Sequence, residues 1–172
     1  MLTRRRLLGV AGSITAAGLV PRGVRALDGL PEASRAALIA SDLIYLTPIK
    51  SNGDESSCHA EVWFAFDGTD LFLCTSSDAW RARALASGLN SARLWVGEFG
   101  LWTKSAGKFR EGAELMATGA VESDPAGIEH GLDLLGAKYP VQWVIWGPRF
   151  RNGIADGSRV MLRYRPSTRP QV

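Results

Sequence analysis

The sequence predicts an α+β fold built mainly from antiparallel strands, closed or nearly closed into a barrel with a few helices at its periphery. Three observations predict it: about six short runs of β-prone residues, apolar alternation with a period of two, and tight turns joining neighbours as hairpins. The chain contains no repeat and no low-complexity segment.

The elements follow in order. Residues 31–41 read as a helix, because Pro31 suits its first position, Glu32 lies in the first turn and Ala37, Leu38 and Ala40 are good formers. Residues 43–49 are rich in β-formers, and Asn52-Gly53-Asp54 then turns the chain. Residues 59–66 alternate, with Ala60, Val62, Phe64 and Phe66 on one face and His59, Glu61, Trp63 and Ala65 on the other. Asp67-Gly68-Thr69 pairs that run with residues 71–75 as a hairpin. Asp78 is the expected N-cap of a helix at 79–87 that Gly88 ends.

Strands are expected at 93–97 and 113–122. The loop between them, residues 98–112, carries Trp102, Lys104, Lys108 and Arg110, and specificity is expected there because loops on a rigid barrel carry it. Asp124-Pro125 opens a helix reaching about Lys138, with Ile128, Leu132 and Leu135 as its buried stripe and Pro140 as its stop. In the last strand, 159–165, Val160, Leu162 and Tyr164 face inward, while Arg159, Met161, Arg163 and Arg165 face outward.

A chain of 172 residues supports one domain, with or without a short targeting segment. Its 20 Lys and Arg against 17 Asp and Glu give a net charge of +3, which suits a polyanionic partner only if the basic residues belong to the folded part. They do not. Residues 1–26 hold Arg4, Arg5, Arg6, Arg22 and Arg25 and no acid, so the remainder is slightly acidic and nucleic acid is not an expected partner. The uncharged run from Leu7 to Val20 is too short to span a bilayer but fits the apolar region of a secretory signal. Val24-Arg25-Ala26 offers a cleavage site before Leu27, and the run TRRRLLG resembles a twin-arginine signal. The expectation is therefore a signal peptide at 1–26, export to the periplasm by the twin-arginine machinery, and a single domain at 27–172. An uncleaved anchor or an N-terminal amphipathic helix is the alternative.

Metal chemistry has little support, since His59 and His130 are the only histidines and stand far apart. On the hairpin register, Cys58 lies about 13–20 Å out of step with Cys74, so two free thiols are expected. No Gly-rich phosphate loop, dinucleotide fingerprint or nucleophile elbow occurs. The informative stretch is LFLCTSSDAWRARAL, residues 71–85. There a strand delivers Thr75, Ser76 and Ser77 to a helix start bearing Arg81, the components of a phosphate site without glycines. An Arg on a solvated face with Ser and Thr as capping residues is the other reading. Trp63, Trp95, Trp143 and Trp146 admit either packing in a core or interface, or stacking on an aromatic ligand.

Taken in order, Leu46-Thr47-Pro48-Ile49-Lys50, Glu61-Val62-Trp63-Phe64, Asp67-Gly68, Thr75-Ser76-Ser77, Trp80-Arg81, Lys138-Tyr139-Pro140 and the closing run RVMLRYRP resemble the pyridoxamine 5'-phosphate oxidase-like superfamily. The resemblance spans residues 35–166. It implies a split β-barrel homodimer that binds FMN or a deazaflavin between its subunits. It further implies that the strand of Glu61, Val62 and Trp63 supplies backbone contacts to the flavin ring and that Thr75, Ser76 and Arg81 match phosphate-binding positions. Ser77 and Lys50 complete the candidate site, and Glu61, an acid where an apolar residue or Pro is common, needs a partner for which Lys50 is a candidate. Trp80 and Ala79 depart from the second basic residue and the Ser that FMN-binding members often carry.

The expected function is an exported FMN-dependent oxidoreductase acting on a small molecule, with no catalytic acid or base assigned. A deazaflavin-dependent reductase is the first rival. A non-enzymatic flavin- or haem-binding protein, with His59 as its haem ligand, is the second.

Overall fold

The computed structural model describes residues 30–167, and the expected signal peptide at 1–26 lies outside the described residues. Seven strands make one antiparallel sheet: β1 (Leu43–Pro48), β2 (Ala60–Trp63), β3 (Ala65–Phe66), β4 (Leu71–Ser76), β5 (Ser91–Val96), β6 (Ala113–Val121) and β7 (Arg159–Ser167). Their spatial order is β2-β1-β5-β6-β7-β4-β3. The two edge strands are consecutive in the chain and separated only by Phe64, so the sheet curls until its edges nearly meet. Four helices surround this nearly closed barrel: α1 (Glu32–Ala40), α2 (Trp80–Ala86), α3 (Pro125–Lys138) and α4 (Pro140–Ala155).

The inward facing of Val160, Leu162 and Tyr164 in β7 is as the sequence predicts. Ile44, Leu46, Phe64, Leu71, Leu73, Leu94, Leu115, Leu162 and Tyr164 fill the barrel, and Leu38 of α1 and Ala82 of α2 join them. A second core lies outside the sheet, where Phe72 and Met161 meet Leu132 and Leu135 of α3 and Phe150 of α4. Met161 is thus an outward residue buried by a helical layer. Asp124 caps α3 by accepting from the Gly127 N–H at 3.2 Å.

Four expectations need correction. The run 59–66 is not one strand. It breaks at Phe64, giving seven strands instead of six, because β2 pairs with β1 while β3 pairs with β4. The 59–75 hairpin consequently closes only at Ala65–Phe72 and Phe66–Leu71, and Cys74 stands opposite Met161 of β7. Both cysteines are nonetheless free thiols. Asp78 does not cap α2; Ala79 holds that position without a side-chain bond, and the Asp78 N–H instead donates to the Ser76 hydroxyl at 3.3 Å. Pro140 does end α3, but it also opens α4, where its missing N–H costs nothing. Gly147, Pro148 and Gly153 obscure that helix in the sequence.

Tyr139, between α3 and α4, ties the break together. Its hydroxyl accepts from the Phe64 N–H at 3.1 Å and lies 2.8 and 2.7 Å from the carbonyls of Phe64 and Asp42. Beside it, Lys138 donates to the Ser41 carbonyl at 2.6 Å and sits 3.6 Å above the Phe64 ring. Burial lowers the Lys138 amine to about 8.

Candidate functional site

Beyond Ala65 and Phe72 the hairpin does not zip further: β2 turns to β1 and β4 to β7, which leaves a split between residues 60–63 and 73–76. Val62 and Trp63 stand on one wall of this split, and Thr75 and Ser76 on the other. Next to β2, a cleft of about 630 Å³ is lined by Lys50, Glu55, Ser56, Ser57, Cys58, His59 and Trp80.

Arg81 follows Trp80 into the barrel end. Its guanidinium lies within electrostatic reach of Cys58, Tyr164 and Glu61, and burial lowers its pKa. Its Nε is buried and has no hydrogen-bond partner. A buried guanidinium nitrogen without an acceptor is costly, so the surroundings of Arg81 suit an anion. Lys50 lines the cleft next to β2.

The remaining expected site residues divide. Thr75 is buried and follows Leu71 and Leu73 on the inward face, whereas Ser76 is exposed and points the other way. The Ser77 N–H donates to the Ser158 carbonyl at 3.0 Å. The three hydroxyls therefore do not converge on one point, a consequence of strand alternation up to Ser76. With only seven residues, α2 offers little dipole of its own. Val62 packs against the barrel core. The Trp63 ring stacks on Tyr139 with centroids 4.9 Å apart and meets Trp146 edge-on at 6.2 Å, so packing uses this ring. Glu61 is not paired with Lys50; its carboxylate accepts from the Trp102 N–H at 3.1 Å.

That contact belongs to a feature the sequence hid. Residues 98–112 form a cap with short 3-10 turns at Trp102–Lys104 and Lys108–Glu111. The cap covers Tyr45 and Trp95, cross-strand neighbours on the outer face of β1 and β5, and inserts Phe109 against both. The Tyr45 hydroxyl donates to the Gly100 carbonyl at 2.7 Å and accepts from the Phe99 N–H at 2.8 Å. Arg110 lies 4.5 Å from the Trp95 ring and bonds Glu55 at 2.6 Å. The alternation of Tyr45 and Trp95 onto a nominally polar face was the one available signal of this third core. His59 lies between cap and cleft, 2.6 Å from the Thr47 hydroxyl. Its pKa is lowered by burial and then by Arg110, against the opposing pull of Glu55. Glu55 itself is held low by its bond to Arg110. Among the described residues no cluster of His, Cys, Asp or Glu is placed to hold a metal ion.

Solved structures carry this barrel. An Agrobacterium tumefaciens protein of unknown function matches with a TM-score of 0.53 at 14% identity, covering 87% of this chain and 60% of that one. HutZ, the haem storage protein of Vibrio cholerae, matches with a TM-score of 0.51 at 14% identity, over 78% and 87% of the two chains. The likeness is one of fold. A Listeria innocua protein described as a candidate pyridoxamine 5'-phosphate oxidase follows at a TM-score of 0.48 and 15% identity, over 77% and 90%. No protein-family profile and no curated protein sequence gives a significant match.

Proposed function

We propose that the protein is an exported, flavin-dependent oxidoreductase of the split-barrel kind, acting on a small molecule and reaching the periplasm by the twin-arginine route. The observation that carries the cofactor half of this reading is the buried, unpartnered Nε of Arg81, the residue that follows Trp80 of the cleft lining. The residues present fit FMN at its phosphate: Arg81 supplies a charge-assisted donor in a poorly hydrated place, and Lys50 adds a second cation at the mouth. Val62 and Trp63, on the unpaired edge of β2, offer backbone groups to a ring system lying along the split. A bound flavin supplies hydride and one-electron chemistry, and the protein's part is to bind, orient and shield it. The cap, anchored through Tyr45 and Glu61, keeps β2 from shifting away from the ligand.

Deazaflavin binding is the second reading, and Ala79 and Trp80 favour it because they stand where a phosphate site gains from a hydroxyl and a cation. Titration of the purified protein with FMN and with a deazaflavin decides between them. Arg81→Ala is expected to weaken binding of the preferred cofactor by about tenfold or more, the scale of one charge-assisted bond. If neither cofactor binds, the reading falls.

The active form is a homodimer. Supporting it, α4 exposes Val141, Val144 and Ile145 at 80%, 77% and 59%, an apolar stripe at i, i+3 and i+4 that water covers in the lone subunit. Sedimentation is expected to give a dimer for the wild type and a folded monomer for Val144→Asp. A wild-type protein that sediments as a monomer at micromolar concentration overturns the claim.

A further inference from the structure

His59 has no role in the reading above, yet its surroundings are built around it. It stands just past the Leu46–Ala60 end of the β1–β2 pairing, with Nδ1 and the buried Thr47 hydroxyl 2.6 Å apart. Its ring meets the edge of Trp102 at 5.4 Å and Phe109 at 5.7 Å, both residues of the cap. The charged groups around it come from five elements. Glu55, in the turn before β2, accepts from Arg93 of β5 at 3.0 Å and from Arg110 of the cap at 2.6 Å. Arg93 also reaches Glu114 of β6 at 3.3 Å. Glu61 of β2 is engaged by the Trp102 N–H, and Lys50 lines the cleft on the far side. Every carboxylate in this cluster is therefore already committed, while two guanidiniums and an amine stand ready to oppose another cation.

We propose that His59 is the pin of an acid-sensitive clasp: neutral, it lets Arg110, Trp102 and Phe109 lie over the outer face of the barrel; protonated, it competes with Arg110 for Glu55 and frees residues 98–112. Release uncovers Tyr45 and Trp95 and opens the cleft on its His59 side. The linkage has a definite sign. Burial and Arg110 hold the His59 pKa below the ordinary 6.5, so the released state binds the proton more readily than the clasped one. The clasp is at full strength above the ordinary histidine range and weakens as the pH falls through it.

Hydrogen exchange of the full chain, corrected for intrinsic pH dependence, tests this at about pH 7.5 and about pH 5.5, either side of the histidine range. In the wild type, amides of residues 101–111 are expected to exchange about tenfold faster at the lower pH, with α3 unchanged. His59→Gln keeps a polar partner for Thr47 but takes no charge, and is expected to abolish that acceleration, whereas His130→Gln preserves it. No segment-specific acceleration in the wild type, or full acceleration in His59→Gln, overturns the proposal. Should His59→Gln not fold, the wild type alone suffices: the Trp102 indole signal must titrate together with His59, and a silent indole sinks the clasp.

Discussion

Tyr139→Phe is expected to destabilise the protein by about 3 kcal/mol, because a single hydroxyl serves two buried backbone groups at the point where the barrel splits. Phe64 is fully buried; its N–H donates to that oxygen at 3.1 Å, and the one hydroxyl proton serves the carbonyls of Asp42 at 2.7 Å and Phe64 at 2.8 Å between them. In an uninterrupted hairpin these groups would pair with a neighbouring strand. Here β2 leaves for β1 and β3 for β4, so no strand is available to them. Phe at 139 keeps the stack on Trp63 but offers no acceptor, and each orphaned buried group costs about 1–3 kcal/mol. Urea unfolding measures the loss directly, and the thermal midpoint should fall by roughly 6–12 °C for a domain of this size. A loss below about 1 kcal/mol would mean that water replaces the hydroxyl and that the split is held by other means.

The fold was legible where local pattern and tertiary structure agree. Alternation in residues 159–165 identified the inward residues Val160, Leu162 and Tyr164, since a one-residue error there would turn the whole set to solvent. It misled at Phe64, because β2 and β3 keep one continuous alternation while changing partners, and pairing is a non-local choice that periodicity does not encode. It also misled at α4, where Gly147, Pro148 and Gly153 look like loop residues. Gly147 and Gly136 make room for the Trp143 ring, and Pro148 is tolerated on the exposed side of the helix.

The site was legible only in part, for a related reason. Arg81 stands out in the sequence because a strand ending in hydroxyls and running into a helix is a local signature, and its Nε is buried in the fold. The inward turn of Thr75 and the outward turn of Ser76 follow from alternation that the same sequence displays. The cap was illegible: its anchors Tyr45, Glu55 and Glu61 lie about 40 to 55 positions from the residues they hold. The Trp95 ring is almost fully buried because a segment with no regular pattern folds over it.

Gly119→Ala is the second change expected to cost about 3 kcal/mol, and here the cause is steric. Gly119 of β6 stands opposite Tyr164 of β7, whose ring lies flat over it inside the barrel. A Cβ at 119 would come within 2.3 Å of Tyr164 Cε1 and 2.8 Å of Cζ, distances that no buried atom pair sustains. The ring is about 1% exposed and is surrounded by core side chains, so it has no free volume to move into. Backbone conformation is not at issue; the glycine serves close approach, which is one meaning of a glycine inside a strand. A double-mutant cycle separates this cause from general strand weakening. Tyr164→Leu removes the obstructing ring at its own cost, and adding Gly119→Ala to it should then cost about 2 kcal/mol less than in the wild type. If the two costs simply add, the ring is not what excludes the methyl group, and β6 is instead sensitive to any side chain at that position.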